Sequence, residues 1–497
     1  MANSVLRVEG IVKAFGGVHA LRGVGLEIGA GEIHCLAGEN GSGKSTLIKV
    51  ISGVLEPDAG RIHLGARAFS RLSPMEAIAL GVQVIYQDFS VFPNLSVMEN
   101  LALNMELMDN RKLMNYRRAR SIAAHAVSLI GFEVDLDERV ENLTVADRQL
   151  IAICRALLQD SKLIIMDEPT SALTKKEVKA LFAVIKSLQS QGISVLFVSH
   201  KLDEVFEISE RYTIIRSGEN AASGNTRDLD RRTFAYHMTG REFTEESYRP
   251  SSRGATPLLS VEGLALRGSY SDISFDLYPG EILGITGLLG SGRTELVETI
   301  FGILRPDAGR IKIEGRPVRI RSVKAAIRQG IGYVPSDRLT EGLFQPQTIA
   351  RNTVVAVLER LSGRLGFLKF REISETTARW IAELSIATTD PSLPVRTLSG
   401  GNQQKVVLAR WLASELKLLI LNGPTMGVDI GSKYDIHALM RKLADEGLAI
   451  IVVSDDLPEV LACASRIIVM RDGVFVRELD PAATTESRLG ELSTGIA

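Results

Sequence analysis

Residues 32–53 read EIHCLAGENGSGKSTLIKVISG, and GENGSGKS at 38–45 matches the pattern G-x-x-x-x-G-K-[ST]. The apolar run before the glycines predicts a buried strand, and the run after them predicts a helix. Glycines there let successive backbone N–H groups face an anion, and the helix N-terminus adds positive potential. The stretch therefore predicts a phosphate-binding loop for ATP, made of Gly38, Glu39, Asn40, Gly41, Ser42, Gly43, Lys44, Ser45 and Thr46. Lys44 is expected to reach the β- and γ-phosphates, and Ser45 is expected to ligate Mg²⁺.

Two carboxylates follow a second buried run, LIIMDEPT at 163–170. Asp167 is placed to hold Mg²⁺, through water, and Glu168 to polarise the attacking water. His200 ends the apolar run SVLFVSH and is expected to hydrogen-bond the γ-phosphate, although a lone histidine is more often structural. The three residues and Lys44 are the predicted catalytic and metal-holding set.

Two further residues are candidates on weaker patterns. Gln87 follows the apolar VIY and suits a loop that contacts the metal and senses a partner, so it is assigned to both the catalytic and the metal-binding sets. Phe15 precedes a turn of small residues and is a candidate to stack on adenine, with packing in the core as the alternative.

Composition limits the class of protein. The chain has 497 residues, 24% charged and 45% apolar, with a formal net charge of −1, so it is expected to be globular, with several domains and no nucleic-acid surface. Its cysteines, Cys35, Cys154 and Cys463, form no CxxC pair and are expected to be reduced and buried. We find no signal-peptide pattern and no run near the ~20 apolar residues that span a bilayer. A role at a membrane would therefore require a partner.

The chain repeats itself. EPDAGRI at 56–62 returns as RPDAGRI at 305–311, an offset of 249 (305 minus 56), and LIIMDEPT returns as LLILNGPT at 418–425, an offset of 255 (418 minus 163). Runs rich in β-branched residues alternate with amphipathic stretches, which predicts an α/β fold with parallel sheets. The stretches 95–160 and 348–415 are expected to be helical subdomains. The predicted organisation is domain 1 at 1–241, a polar linker at 242–257 and domain 2 at 258–497.

The motif LSGGNQQK at 398–405 resembles the signature of ABC ATPases, in the form found in the second half of sugar-importer ATPases. With the phosphate loop and the strand-end residues, nearly the whole chain resembles the fused bacterial import ATPases for ribose, galactose and xylose. The resemblance implies two tandem P-loop NTPase domains that pair head to tail. Each ATP then lies between the loop of one domain and the signature of the other, here Ser399, Gly400, Gly401 and Asn402. It also implies that Asp429 lies near the intact site.

The resemblance makes the two sites unequal. The intact site combines the loop of domain 1 with the signature of domain 2. In the other site almost every corresponding residue has changed: Arg293, which keeps the charge, stands for Lys44, Asn422 for Asp167, Gly423 for Glu168, Asp455 for His200 and Ser336 for Gln87. Its signature, LTVADRQ at 143–149, has Val145 and Ala146 in place of both glycines, and Thr174 replaces the counterpart of Asp429. Hydrolysis is expected only at the first site.

The resemblance also implies partners and a location. These are integral-membrane permease subunits and an extracytoplasmic solute-binding protein, with the ATPase peripheral on the cytoplasmic face of the inner membrane. The expected cargo is a monosaccharide or related small polar solute, and a nucleoside or furanose signal is the alternative. A soluble ABC protein acting on ribosomes or DNA is a competing class. The linker of about 16 residues, from 242 to 257, and the absence of zinc-type cysteine pairs disfavour it.

Overall fold

A computed structural model describes residues 4–86, 91–108, 114–171, 173–242, 248, 256–363 and 366–495. The chain divides into two compact units, Met1–Phe243 and Thr244–Ala497, called unit 1 and unit 2 below. Cys35, Cys154 and Cys463 are buried free thiols, as predicted. Among the described residues, no helix is both long enough and apolar enough to cross a bilayer.

Unit 1 is built on two sheets and eight α-helices within the described residues. Its strands are β1 Ser4–Phe15, β2 Val18–Gly29, β3 Ile33–Ala37, β4 Ala59–Leu64, β5 Arg67–Phe69, β6 Val82–Ile85, β7 Leu163–Asp167, β8 Ser194–Val198, β9 Arg211–Arg216 and β10 Glu219–Asn225. Its helices are α1 Lys44–Ile51, α2 Pro74–Ala79, α3 Val97–Met108, α4 Tyr116–Leu129, α5 Val145–Leu157, α6 Lys175–Ser190, α7 Leu202–Ile208 and α8 Arg231–Thr239.

The larger sheet of unit 1 has the order β10-β9-β3-β8-β7-β6 and is parallel except for β10. Its central strands β3 and β8 are buried at every position, as expected for strands with helices on both faces. The smaller antiparallel sheet, β2-β1-β4-β5, contributes Leu6, Ile11 and Leu21 to the same core.

Unit 2 repeats this plan. Its strands are β11 Leu259–Leu266, β12 Tyr270–Leu277, β13 Ile282–Thr286, β14 Ala308–Ile313, β15 Arg316–Val318, β16 Ile331–Val334, β17 Leu418–Asn422, β18 Ala449–Val453, β19 Arg466–Arg471 and β20 Val474–Leu479. Its helices are α9 Arg293–Phe301, α10 Val323–Arg328, α11 Ile349–Val354, α12 Phe370–Glu383, α13 Gly400–Leu412, α14 Ile430–Asp445, α15 Leu457–Cys463 and α16 Glu486–Thr494. The sheets run β12-β11-β14-β15 and β16-β17-β18-β13-β19-β20, the same orders as in unit 1.

The predicted helical stretches are confirmed, since α3 to α5 fall within 95–160 and α11 to α13 within 348–415. A matched pair of asparagines fixes the same turn in both units. Asn100 accepts from the Phe92 amide at 2.8 Å, and Asn352 accepts from the Phe344 amide at 2.9 Å. Both amides are fully buried and donate back to carbonyls of the turn, which satisfies their polar atoms.

This equivalence locates the inserted residues of unit 2. Seven positions separate Ile85 from Phe92 (92 minus 85), whereas ten separate Val334 from Phe344 (344 minus 334). The rise in repeat offset from 249 to 255 means that unit 2 has six extra residues. Three of them therefore lie just after β16, where the chain forms a short π-helical segment, Arg338–Gly342. The other three lie between Asn352 and the signature helix.

One residue of the predicted linker is part of a core. Tyr248 is buried in unit 2, and its hydroxyl donates to the Gly280 carbonyl at 3.2 Å and to Asp445 Oδ1 at 3.0 Å. Burial and the neighbouring carboxylate raise the pKa of Tyr248 to about 12, so the hydroxyl keeps its proton. The chain is therefore fixed to unit 2 ten residues before domain 2 was predicted to begin (258 minus 248).

Candidate functional site

The candidate residues of unit 1 follow neighbouring parallel strands. The loop 38–43 follows β3, His200 lies just beyond β8, and Asp167 ends β7. Because β3, β8 and β7 are adjacent and parallel, their carboxyl ends meet at one edge of the sheet. Ligands of open α/β sheets bind at that edge.

The side chain of Lys44 folds back onto carbonyls of the loop that precedes it. Lys44 begins α1 and is 5% exposed, and its Nζ donates to the Gly38 carbonyl at 2.6 Å and to the Glu39 carbonyl at 2.9 Å. A Cβ on Gly38 would lie 2.4 Å from both the Ile215 carbonyl oxygen and Ser42 Oγ, so only glycine fits there. Burial lowers the pKa of Lys44, and the nearby carboxylates of Glu168 and Asp167 oppose that shift.

Glu168 and His200 are in direct contact. His200 Nδ1 lies 3.1 Å from Glu168 Oε1, and this hydrogen bond is the main reason that the pKa of Glu168 is lowered. Glu168 is therefore ionised near neutral pH, the form that can accept a hydrogen bond from a water molecule. Its backbone has φ of 48°, in the left-handed region that non-glycine residues seldom adopt and that is commoner at functional sites.

Asp167 and Ser45 form the second pair. Burial raises the pKa of Asp167 and the charge of Glu168 adds to this, while Lys44 and a hydrogen bond from Ser45 act in the opposite direction. These oxygens open onto a cavity of about 200 Å³. It is lined by Asn40, Gly41, Gly43, Lys44, Ser45 and Thr46 together with Asp167 and Glu168. The structure thus brings the predicted loop and both carboxylates around one space.

Of the two weaker candidates, the structure describes Phe15 but not Gln87. Phe15 ends β1 and is 47% exposed, which contradicts the core-packing alternative. The ammonium of Lys13 lies 5.8 Å from the ring centroid. Gln87 lies outside the described residues, so its assignments stay predictions.

The signature residues lie in unit 2 at the start of α13. Ser399 is the N-cap, but its hydroxyl makes no capping bond to the helix and instead accepts from Asn402 Nδ2 at 2.9 Å. Asn402 Oδ1 accepts from the Ala387 amide at 2.8 Å, which fixes the side chain. Asp429 caps α14, accepting from the amide of Ser432 at 2.8 Å. A Cβ on Gly401 would lie 1.9 Å from Ser432 Oγ, so the signature packs closely on this cap.

The corresponding signature in unit 1 is organised differently. Thr144 caps α5, accepting from the Asp147 amide at 3.1 Å and donating to Asp147 Oδ2 at 2.8 Å. Its hydroxyl proton is therefore used within the helix start, and Val145 and Ala146 follow where unit 2 has glycines. A phosphate would meet a bulkier surface with a carboxylate beside it.

The loop of unit 2 keeps a lysine-like contact to its own carbonyl, but the carboxylates of unit 1 are replaced around it. Arg293 is 8% exposed and donates to the Gly287 carbonyl at 2.5 Å, while its Nη2 lies 3.9 Å from Asp455 Oδ1. Asn422 is buried and donates to the Tyr333 hydroxyl at 3.3 Å. Gly423 occupies the position of Glu168 with φ of 61° and offers no side chain.

Unit 2 also lacks a counterpart of Phe15. Val12 pairs with Ala59 and Ala265 with Ala308, so these two strand positions are equivalent. The next shared position is nine residues on in unit 1, at Leu21 (21 minus 12), but only five on in unit 2, at Tyr270 (270 minus 265). The hairpin tip of unit 2 is thus four residues shorter than the tip of unit 1 that carries the exposed Phe15.

Comparison with known proteins agrees with these features. The sequence model of the family described as ABC transporter matches residues 21–171 and 270–426, one match in each unit. The chain belongs to the ABC transporter family. The P-loop NTPase fold predicted for both halves is confirmed, and the protein is an ATP-binding ATPase.

Full-length relatives carry the same two-unit plan. A ribose import ATP-binding protein, RbsA 2 of Streptomyces avermitilis, is 40% identical over 99% of this chain and 97% of its own length. RbsA 3 of Rubrobacter xylanophilus is 42% identical over 99% of both chains. A solved ATP-binding cassette of an ABC transporter in its ADP conformation is 27% identical, covers 46% of this chain and 94% of its own, and superposes with a TM-score of 0.43.

One residue near the signature of this ABC ATPase was not found from the sequence. Arg338, in the inserted segment after β16, lies beside Gly400 and contacts the loop that precedes Asp429. The insertion itself was visible as a change of repeat offset, but no motif marks the arginine.

Proposed function

We propose that this ABC ATPase is the ATP-hydrolysing subunit of an importer for a monosaccharide or a related small polar solute. The observation that supports it most is the match to ribose import ATP-binding proteins at 40–42% identity, which extends over 99% of the chain and so includes both units. A nucleoside or furanose derivative is the alternative cargo, because in this proposal the binding protein and the permease recognise the solute.

Hydrolysis is assigned to the loop of unit 1. Ser45 and Asp167 both line the cavity beside the phosphate loop and offer oxygen ligands, a set that fits Mg²⁺, which prefers one or two protein ligands plus phosphate and water. The ion would supply charge to the β- and γ-phosphate oxygens. Lys44 binds the same phosphates, because its ammonium can exchange the loop carbonyls for phosphate oxygens.

Glu168 is the proposed general base. Its lowered pKa keeps it ionised, and its hydrogen bond to His200 fixes the carboxylate at the mouth of the cavity. The carboxylate orients a water for attack on the γ-phosphorus and takes its proton. His200, held by the same bond, can turn its other ring nitrogen to the γ-phosphate.

Head-to-tail pairing of the two units is part of this proposal. Neither unit holds a complete set, since unit 1 has the intact loop with a substituted signature and unit 2 has the reverse. Only the combination of the unit 1 loop with Ser399, Gly400, Gly401, Asn402 and Asp429 gives one full ATP site. Phe15 is proposed to stack on the adenine and Gln87 to contact the metal and sense the permease.

The proposed partners are integral-membrane permease subunits and an extracytoplasmic solute-binding protein, with the ATPase on the cytoplasmic face of the membrane. The test is ATPase activity in proteoliposomes that contain a candidate permease. We expect the solute-loaded binding protein to stimulate phosphate release, and we expect Glu168→Gln to bind ATP but abolish turnover. Full ATPase activity that changes with neither the permease nor the binding protein would favour a soluble ABC ATPase.

A further inference from the structure

The inserted segment of unit 2 places an arginine against the loop that leads to Asp429. Arg338 Nη1 donates to the Met426 carbonyl at 2.6 Å, and Nη2 donates to the Gly427 carbonyl at 2.9 Å. The planar fork of a guanidinium spans two successive carbonyls, which a lysine ammonium cannot do with the same geometry. The contact joins residues 88 positions apart in the sequence.

The same guanidinium lies at the start of the signature helix. A Cβ built on Gly400 would lie 2.7 Å from Arg338 Nη2 and 3.1 Å from the Gly427 carbonyl oxygen. Gly400, Gly427 and the guanidinium therefore meet at one point. Arg338 bridges residues 399–402 and 426–429, which we call the signature start and the 426–429 loop.

A cation at this position needs a physical reason. The N-terminus of a helix carries partial positive charge and favours anions, so an arginine beside the start of the 13-residue helix α13 is electrostatically unfavourable by itself. Two carbonyl dipoles offset part of that cost. Arg338 is half-buried, and its Nε is buried without a hydrogen-bond partner among the described residues. An arriving phosphate would turn this unfavourable arrangement into a favourable one.

We propose that Arg338 is a positioning residue that fixes the 426–429 loop to the signature start. The Ser399 hydroxyl, the glycine amides and Asp429 would then reach the γ-phosphate as one rigid element. The inference rests on the proposed function, in which the signature of unit 2 completes the ATP site of unit 1. Arg338 acts through the two segments it joins, and rigid placement of binding groups commonly changes rates by large factors.

The test uses the purified full-length chain and steady-state hydrolysis of MgATP. Arg338→Met keeps an unbranched apolar stem but removes the charge and the donors, and Arg338→Lys keeps the charge without the planar fork. For Arg338→Met we expect kcat to fall about 10- to 100-fold, with KM for ATP within about threefold. For Arg338→Lys we expect a kcat between those of Met and wild type. The melting temperature of each variant is measured as well, and kcat is compared at a temperature at which wild type and variants are all fully folded.

Arg371→Met is the matched control, because Arg371 is 92% exposed in the same unit and pairs only with Glu375 on its own helix among the described residues. Its kinetics should equal those of wild type. A kcat for Arg338→Met within twofold of wild type, or a loss that follows a lowered melting temperature, would overturn the inference. Wild-type kcat in Arg338→Lys would overturn the role of the two-point contact.

A second variant separates this inference from the proposed function. Gly400→Asp places a carboxylate at the signature start and should abolish turnover if unit 2 completes the site. If Gly400→Asp is inactive while Arg338→Met is fully active, only the role proposed for Arg338 is wrong. If both are fully active, the assembly of the site across the two units is wrong.

Discussion

The sharpest consequence of the structure is that one lysine should control nearly all ATP turnover while its counterpart controls almost none. Lys44→Ala removes a buried ammonium that lies beside both carboxylates at the edge of the unit 1 sheet. Arg293→Ala removes the equivalent cation of unit 2, which faces Asp455 and the neutral residues Asn422 and Gly423 instead.

The magnitude follows from the contacts. The Lys44 ammonium donates two hydrogen bonds to carbonyls in the structure, and in the ATP complex two such donors can be directed at phosphate oxygens. Hydrogen bonds to charged groups contribute about 1.5–3 kcal/mol each, so losing two costs about 3–6 kcal/mol. At about 1.4 kcal/mol per factor of ten, Lys44→Ala should retain less than about 1% of wild-type kcat/KM. Arg293→Ala should stay within about twofold, because Gly423 supplies no base for any nucleotide held there.

The assay combines equilibrium nucleotide binding with the stoichiometry of the phosphate burst in a single turnover. Wild type should release about one phosphate per chain in the burst, because only one site has both metal ligands and a base. Retention of about a third or more of wild-type turnover in Lys44→Ala would show that the second site is active. Equal losses in both variants would likewise refute the reasoning from unequal sites.

Three further expectations concern the signature, the base position of unit 2 and the linker. Gly400→Asp should lower turnover at least about 100-fold through repulsion of the γ-phosphate, whereas Ala146→Asp in the substituted signature should change it less than about threefold, and equal effects would contradict the assignment. Gly423→Glu should add no ATPase activity. It should also destabilise unit 2 by about 1 kcal/mol, because φ of 61° suits glycine. A rise in ATP turnover would show that the second site lacked only a carboxylate. Tyr248→Phe should lower the free energy of unfolding by about 1 kcal/mol and the melting temperature of unit 2 by about 2–4 °C. The exposed Tyr116→Phe serves as the control. Equal melting curves for the two variants would show that the Tyr248 hydroxyl does not stabilise unit 2.

Much of the candidate site could be predicted from the sequence because its residues sit at fixed points of a repeated pattern. A glycine-rich turn after a buried strand specifies the loop up to Lys44, and a carboxylate pair that ends a second apolar run specifies Asp167 and Glu168. Parallel strands bring such ends to one edge, so the convergence of these residues follows from fold class alone. The offsets of 249 and 255 identified the substituted counterparts of these residues in unit 2.

Contacts that depend on packing between distant segments could not be predicted in this way. Arg338 reaches Met426 and Gly427 across 88 positions, in a segment that differs from its repeat partner by three inserted residues. Tyr248 stands in a polar stretch with no periodicity, and only the position of Asp445 and the Gly280 carbonyl explains its burial. The left-handed backbone of Glu168 has no sequence signal either, since glutamate disfavours it.

The substitutions of unit 2 share one property that bears on why the unit is kept. At Arg293 and Gly423 the catalytic side chain is replaced while a local contact or the backbone conformation is retained. Arg293 donates to Gly287 as Lys44 does to Gly38, which is the same position of the repeat (38 plus 249). Gly423 keeps the left-handed turn of Glu168, at φ of 61° against 48°. A loop selected only to bind nucleotide would have no need to hold this geometry after losing its base, whereas a scaffold that presents Gly400 and Asp429 at fixed positions would. The retained geometry of unit 2 therefore fits the proposed role of this unit in presenting the signature.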